Sequence, residues 1–232
     1  MRLASIVVPV LNRPDLTRRC LESVVRNTTS PHELILVDNG SDEGTRRMLR
    51  GFPARVLRNP RNLGFARAVN RGIRASRGDV VVLLNSDTEV PRGWVEGMRK
   101  AMSGRTGLVG PATDGARNGQ RRAGPSRSRI PLRLPILYGF CLMIRREVLG
   151  DVGLFDPRFF PGGFEDSDYC LRAAEAGWNC ALAPWVFVRH VHHASWKANG
   201  IDHGRSIQAN HRRFLAKWRG SPMLGLYAAD SR

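Results

Sequence analysis

Asn85-Ser86-Asp87 closes the apolar run Val80-Val81-Val82-Leu83-Leu84, which is too short for a membrane span and reads as a buried strand. A carboxylate at the carboxyl end of such a strand lies where open α/β sheets bind ligands, so Asp87 falls where a phosphate-bound metal would sit. Taken alone, the segment also reads as a strand followed by a plain polar turn. A second group, Glu165-Asp166-Ser167-Asp168, follows Gly162-Gly163 and precedes Tyr169-Cys170-Leu171, the pattern of a first helical turn. Carboxylates there are stabilised by the helix dipole, and Asp168 can pair with Arg172 one turn on, which makes it a poor catalytic candidate. His190, His192 and His193 form a third group, but no cysteine or acidic residue has the local spacing to complete a zinc set. Cys20, Cys141, Cys170 and Cys180 are widely separated within apolar patterns and read as buried reduced thiols.

The elements that must position these groups alternate in type. Residues 3 to 10 read as a buried strand, and Pro14 opens a helix with Leu16, Cys20, Leu21, Val24 and Val25 on one face. Strand 34–37, a helix after Asp42, strand 54–57 and helix 65–75 lead to the strand that ends at Asp87. This order predicts a largely parallel sheet, buried on both faces, with right-handed crossovers. Pro91 starts a further helix, followed by strand 106–109. Residues 112 to 135 lose all periodicity and carry Arg117, Arg121, Arg122, Arg127, Arg129 and Arg133 among Gly, Ser and Pro, the composition of a mobile surface loop or of an anion-binding one. Strand 137–144, a helix from about Glu165, one or two strands over 180–188 and an amphipathic helix over 202–218 complete the pattern.

Composition bounds the reading. At 232 residues the chain suits one large domain, and 42% apolar with 25% charged residues excludes a disordered or membrane-embedded class. The net charge of +17 comes from 37 basic and 20 acidic residues. Only Lys100, Lys197 and Lys217 are lysines, so the excess is arginine and favours anionic partners. The arginines are dispersed, and no nucleic-acid-binding module is recognisable. With no cleavable leader pattern and no spanning segment, a cytoplasmic protein is expected, with peripheral contact at the inner face of the membrane.

Six blocks in order resemble family 2 glycosyltransferases, in their rhamnosyltransferase-like branch: Val7-Val8-Pro9-Val10-Leu11-Asn12, Leu36-Val37-Asp38-Asn39-Gly40-Ser41, Asn62-Leu63-Gly64-Phe65-Ala66-Arg67-Ala68-Val69-Asn70, Asn85-Ser86-Asp87, Gly153-Leu154-Phe155-Asp156 with Phe164-Glu165-Asp166-Ser167-Asp168, and His190-Val191-His192-His193-Ala194-Ser195. The resemblance covers about residues 3 to 195. It implies the GT-A fold, a Rossmann-like, mostly parallel sheet flanked by helices with a smaller mixed region on the acceptor side. Residues 1–220 would form one domain: a nucleotide-sugar half over 1–111, a mobile basic loop over 112–135 and an acceptor and catalytic half over 136–200. Residues 221–232 would be a tail.

The same resemblance implies a metal-dependent, inverting hexosyltransferase of glycoconjugate or polysaccharide biosynthesis. Its donor would be a UDP-, dTDP- or GDP-sugar, and its acceptor a hydroxyl on an anionic or lipid-linked molecule. Asp87 would bind Mn²⁺ or Mg²⁺ beside the diphosphate, with His190 as a further ligand. The family often has Asp-x-Asp here, and Asn85 replaces the first carboxylate. Asp166 is the general base by resemblance, which fits the need of an inverting transfer for one carboxylate to take the acceptor proton, and Glu165 would position the acceptor. Pro9, Asn12, Asp38, Asn62, Gly64, Asn85 and Ser86 would contact the donor. For Asp38 an Asx turn is an equal reading, and for Gly64 a plain helix entry. A catalytically inactive sugar-nucleotide or carbohydrate-binding relative is one alternative. The other is a sugar nucleotidyltransferase, which would need a Gly-rich, Arg-containing loop after the first strand where Pro9-Val10-Leu11-Asn12-Arg13-Pro14 stands.

Overall fold

The computed structural model describes residues 2–116, 118–191 and 199–230. Arg117, His192 and His193, singled out in the sequence, lie outside them. One eight-stranded sheet organises the chain, in the order β3-β2-β1-β4-β8-β6-β9-β7. Strands β1 (Ala4–Val10), β2 (His32–Asp38), β3 (Arg55–Arg58) and β4 (Val80–Leu84) are mutually parallel. Strand β8 (Cys141–Arg145) enters antiparallel between β4 and β6 (Thr106–Ala112), β9 (Asn179–Phe187) runs parallel to β6, and β7 (Leu132–Leu134) closes the edge.

Period-2 alternation builds a core on each face of the sheet. Ile6, Val8 and Val10 of β1 pack with α1 (Pro14–Asn27), α2 (Glu43–Leu49) and α4 (Trp94–Arg99) through Leu21, Leu49 and Trp94. Val7 and Leu83 face the other side, with α3 (Phe65–Ala75), α5 (Arg146–Val152), α6 (Glu165–Glu175) and α7 (His203–Trp218), through Val69, Val148, Tyr169 and Phe214. Val25 is 46% exposed, because one residue beyond Val24 turns about 100° off the buried stripe. Helix α4 starts at Trp94 rather than at Pro91, since Gly93 takes a left-handed conformation with φ 69° just before it.

Three segments differ from the sequence expectation. The apolar residues 137–140 precede β8 rather than belonging to it: Leu137 is buried against α6 and Phe140 in the core on the other face, and an apolar run does not distinguish such packing from a strand. Residues 112–135 are partly built in, with Thr113 bridged to Arg121, Gln120 fully buried and β7 paired to β9. The segment 221–232, read as a tail, contains helix α8 (Leu224–Asp230), too short and too rich in small residues to show periodicity, which packs on α6. Among the described residues no helix is long and apolar enough to cross a membrane.

Candidate active site

The parallel strands deliver β1, β2 and β4 with their carboxyl ends on one edge of the sheet, and a cavity of 490 Å³ opens there. Pro9 at the end of β1, Asn39 beyond β2 and Asn85, Ser86 and Asp87 beyond β4 all line it. Asp87 lies past the strand, in a turn closed by the Thr88 hydroxyl donating to the Asn85 carbonyl (2.7 Å). A small antiparallel ribbon, β5 (Thr88–Glu89) with β10 (Arg189–His190), then pairs His190 with Thr88. The Val191 N–H donates to the Asp87 carbonyl (2.9 Å). This ribbon brings His190 Nε2 to 3.3 Å from Asp87 Oδ1 and 3.5 Å from Asn85 Nδ2, and the Phe140 ring stacks on the imidazole at 5.0 Å.

Carboxylate oxygen and imidazole nitrogen are the donor types that suit Mn²⁺, and a cation held beside a diphosphate needs only one or two protein ligands. Asp87 and His190 fit that requirement. Among the described residues no three His, Cys, Asp or Glu side chains cluster as a closed metal site. The charge balance points the same way: Asp87, Glu165 and Asp166 line the cavity, and no lysine or arginine does so among the described residues.

The acidic pair sits on the first turn of α6, entered through Phe164 with φ 71°. Asp166 Oδ2 accepts from the Gly139 N–H (2.9 Å) and Oδ1 from the Ser167 N–H (2.7 Å). Burial raises the Asp166 carboxyl above its ordinary value, while those backbone donors oppose the shift. Glu165 is 7% exposed, and its Oε2 has no hydrogen-bond partner among the described residues. Burial first, and then the neighbouring Asp166, push its carboxyl up to about 8. The two environments differ: Asp166 has two backbone N–H donors that favour its charged form, whereas Glu165 has burial and a neighbouring carboxyl that favour its neutral form. Asp168, fully buried, is held by Arg172 (3.0 Å), Lys217 (2.6 Å) and the Trp218 indole N–H (3.0 Å), which ties α7 to α6.

Other sequence-selected residues fall in two groups. Pro9, Asn62, Asn85 and Ser86 line the cavity, whereas Asn12, Asp38 and Gly64 are not among its lining residues. Asp38 is fully buried, with Oδ1 accepting from the Ser41 N–H (2.8 Å) and Oδ2 from Arg46 (3.3 Å). The Ser41 contact closes the loop that follows β2. Asn12 joins neighbouring loops, accepting from the Asp42 N–H (2.8 Å) and donating to Asn199 (2.6 Å). Around Gly64, its own N–H donates to Asn62 Oδ1 and that of Phe65 to the Pro161 carbonyl, so two of the donors at this helix entry are used within the protein.

Asn39 and the segment Tyr138–Phe140 escaped sequence reasoning. Asn39 lines the cavity and accepts from Asn59 (2.8 Å) and the Leu63 N–H (3.1 Å) while donating to Asn62 (2.9 Å). Its place inside the Asp38-Asn39-Gly40-Ser41 block was the available signal. Gly139 holds Asp166, the Phe140 carbonyl accepts from the Asn85 N–H (2.8 Å) and the Phe140 ring backs His190, so one short segment joins the Asp87–His190 corner to the acid pair. No motif marks it.

A ligand crevice at the switch point between β1 and β4, with a carboxylate and an imidazole at one corner and the Glu165–Asp166 pair on the same cavity, defines a nucleotide-dependent transferase of the GT-A type. The chain belongs to glycosyl transferase family 2, whose profile matches residues 5–153. It is 30% identical over 240 residues to the N-acetylglucosaminyl-diphospho-decaprenol L-rhamnosyltransferase of Mycobacterium tuberculosis, covering 84% of this chain and 76% of that protein. It is 26% identical over 208 residues to glycosyltransferase AglE of Haloferax volcanii, covering 80% of this chain and 66% of the relative, and it spans 25% of the length of a further relative, y4gI of Sinorhizobium fredii. The fold is that of GalNAc-T7, solved with UDP, GalNAc and Mn²⁺, at a TM-score of 0.76 and 20% identity over 95% of this chain and 49% of that one. Mannosyltransferase PcManGT from Pyrobaculum calidifontis, solved with GDP-Man and Mn²⁺, gives 0.65 and 19% over 99% and 74%.

Proposed function

We propose that this chain transfers a sugar, with inversion, from a nucleoside diphosphate sugar to an acceptor hydroxyl. The observation that carries the reading is the 3.3 Å approach of His190 to Asp87 in a cavity that also holds Asp166 and offers a diphosphate no lysine or arginine among the described lining residues. Asp87 and His190 would hold Mn²⁺ or Mg²⁺. When bound, the cation offsets the negative charge that develops on the leaving diphosphate.

The donor's nucleoside would lie along Pro9, Asn39 and Asn62, with Asp38 behind them fixing the β2 loop. Asp166 accepts the proton of the acceptor hydroxyl as its oxygen bonds to the anomeric carbon and the bond to the diphosphate oxygen breaks. A raised Asp166 pKa makes it a stronger base nearer neutral pH. Neutral Glu165, with Oε2 free of protein partners among the described residues, donates a hydrogen bond to a substrate oxygen. The two neighbours solved with nucleotides and Mn²⁺ support the donor class and the metal. Arg121, Arg127 and Arg129 are exposed and stand away from the cavity, so we assign them to an anionic portion of the acceptor or to an anionic membrane surface.

The test is a calorimetric titration of UDP, dTDP and GDP with Mn²⁺, beside donor turnover, for the wild type and Asp87→Ala. At least one nucleotide should bind in a Mn²⁺-dependent way, and Asp87→Ala should remove most turnover. Full turnover in excess chelator would overturn the metal assignment.

A further inference from the structure

One wall of the cavity comes from a part of the chain beyond the family profile match over 5–153. Phe164, Ile201, His203, Ile207 and Tyr227 line it. Helix α7 carries Ile207, and α8 carries Tyr227. Ile207 packs directly over Gly163, where an added Cβ would lie 2.5 Å from Ile207 Cδ1. The Tyr227 ring rests against Phe214 at 4.8 Å and approaches Phe164 at 6.2 Å. Phe164 in turn stacks on His211 at 4.9 Å and immediately precedes Glu165 and Asp166. The result is a mainly apolar, aromatic face, with the one imidazole of His203, that borders the Glu165 and Asp166 carboxyl groups.

Building on the transferase reading above, we infer that this wall is the acceptor subsite and that it takes an uncharged sugar ring, stacked on Tyr227 and Phe164 with one hydroxyl turned to Asp166. A pyranose has an apolar C–H face and a hydroxyl-bearing edge, and aromatic faces meet the first while carboxyl groups meet the second. A ring bearing a carboxylate or phosphate would enter beside Glu165 and Asp166 with no lysine or arginine among the described lining residues to offset it, and like charge there opposes binding. Any anionic group of the acceptor therefore lies outside the cavity, beyond the ring that is glycosylated. Sequence reasoning assigned this part of the chain to an amphipathic helix and a tail because the wall exists only once α7 and α8 fold back on α6.

The experiment uses the full chain with Mn²⁺ and the nucleotide that it binds, and reads saturation-transfer NMR with methyl glycosides of glucose, galactose, mannose, rhamnose and N-acetylglucosamine beside methyl glucuronide. At least one neutral glycoside should show saturation of its ring protons, and the glucuronide should bind at least tenfold more weakly. Tyr227→Ala should raise the Kd of that glycoside about tenfold, the effect of losing one aromatic stacking partner, while nucleotide Kd stays within twofold and Tyr227→Phe restores the wild-type value. Equal binding of glucuronide, or an unchanged glycoside Kd in Tyr227→Ala with nucleotide binding intact, overturns the inference while leaving the transferase reading in place. Failure to bind any nucleotide with Mn²⁺ overturns the transferase reading itself.

Discussion

Replacing Glu165 by Gln tests the division of labour within the acid pair through stability, without any knowledge of substrate. The Glu165 carboxyl is pushed up to about 8, by burial first and then by Asp166, from an ordinary 4.5. Between those values the folded chain holds a proton on Glu165 that the unfolded chain has released. Stability then falls as pH rises, by roughly 1 kcal/mol per pH unit, and the penalty is absent below about pH 4.5 and complete above about pH 8. Glutamine fills nearly the same volume and does not titrate, so Glu165→Gln should overtake the wild type progressively across this window, by a few kcal/mol at its upper end. For a chain of this size that corresponds to a relative rise in Tm on the order of 5–10 °C. Urea unfolding of both proteins at half-unit pH steps from 5 to 8.5 measures the difference directly. A wild-type-to-mutant difference that stays constant with pH would refute the protonated state of Glu165, and with it the assignment of the remaining charge to Asp166.

Asp166→Asn should keep nucleotide and Mn²⁺ affinity near wild type while lowering transfer by about 10²- to 10⁴-fold, the range for loss of a general base; a turnover assay beside calorimetry decides, and near-normal transfer would move the base elsewhere. Gly64 has φ +82°, and a Cβ there would meet Phe160 Cδ2 at 2.7 Å and the Pro161 carbonyl oxygen at 3.1 Å. Gly64→Ala should therefore destabilise the fold by about 1–3 kcal/mol in urea unfolding, and an unchanged midpoint would contradict that strain. Neutralising Arg121, Arg127 and Arg129 together should raise acceptor KM or weaken binding to anionic vesicles with donor affinity retained, and wild-type values for both would leave these arginines as solvated charge.

Much of the fold was legible because its signals are local. Buried parallel strands write continuous apolar runs, Pro14 marks a helix start, and Asp42 caps α2 by accepting from the Thr45 N–H (2.7 Å). The pairing of Asp168 with Arg172 follows from helical spacing alone, although Lys217 and Trp218, which complete that cluster, do not. Short elements were harder: β5 and β10 have two residues each, and each is a strand only because the other lies beside it. Asp38 shows the opposite limit. Its motif placed it at the right strand end, yet whether a carboxylate faces a ligand or its own turn depends on the Ser41 N–H and Arg46 brought to it by folding.

By itself the sequence determined the parallel half of the sheet, the strand end that carries Asp87 and the helical turn that carries Glu165 and Asp166, since periodicity and turn chemistry act over a few residues. The tertiary structure alone decided that His190 meets Asp87 through the β5–β10 ribbon and that residues 138–140 join this corner to Asp166. It also decided that Tyr227 lines the cavity and that burial raises the Glu165 carboxyl. Each of these depends on distance and solvent exclusion between segments far apart in the chain, quantities that no local pattern encodes.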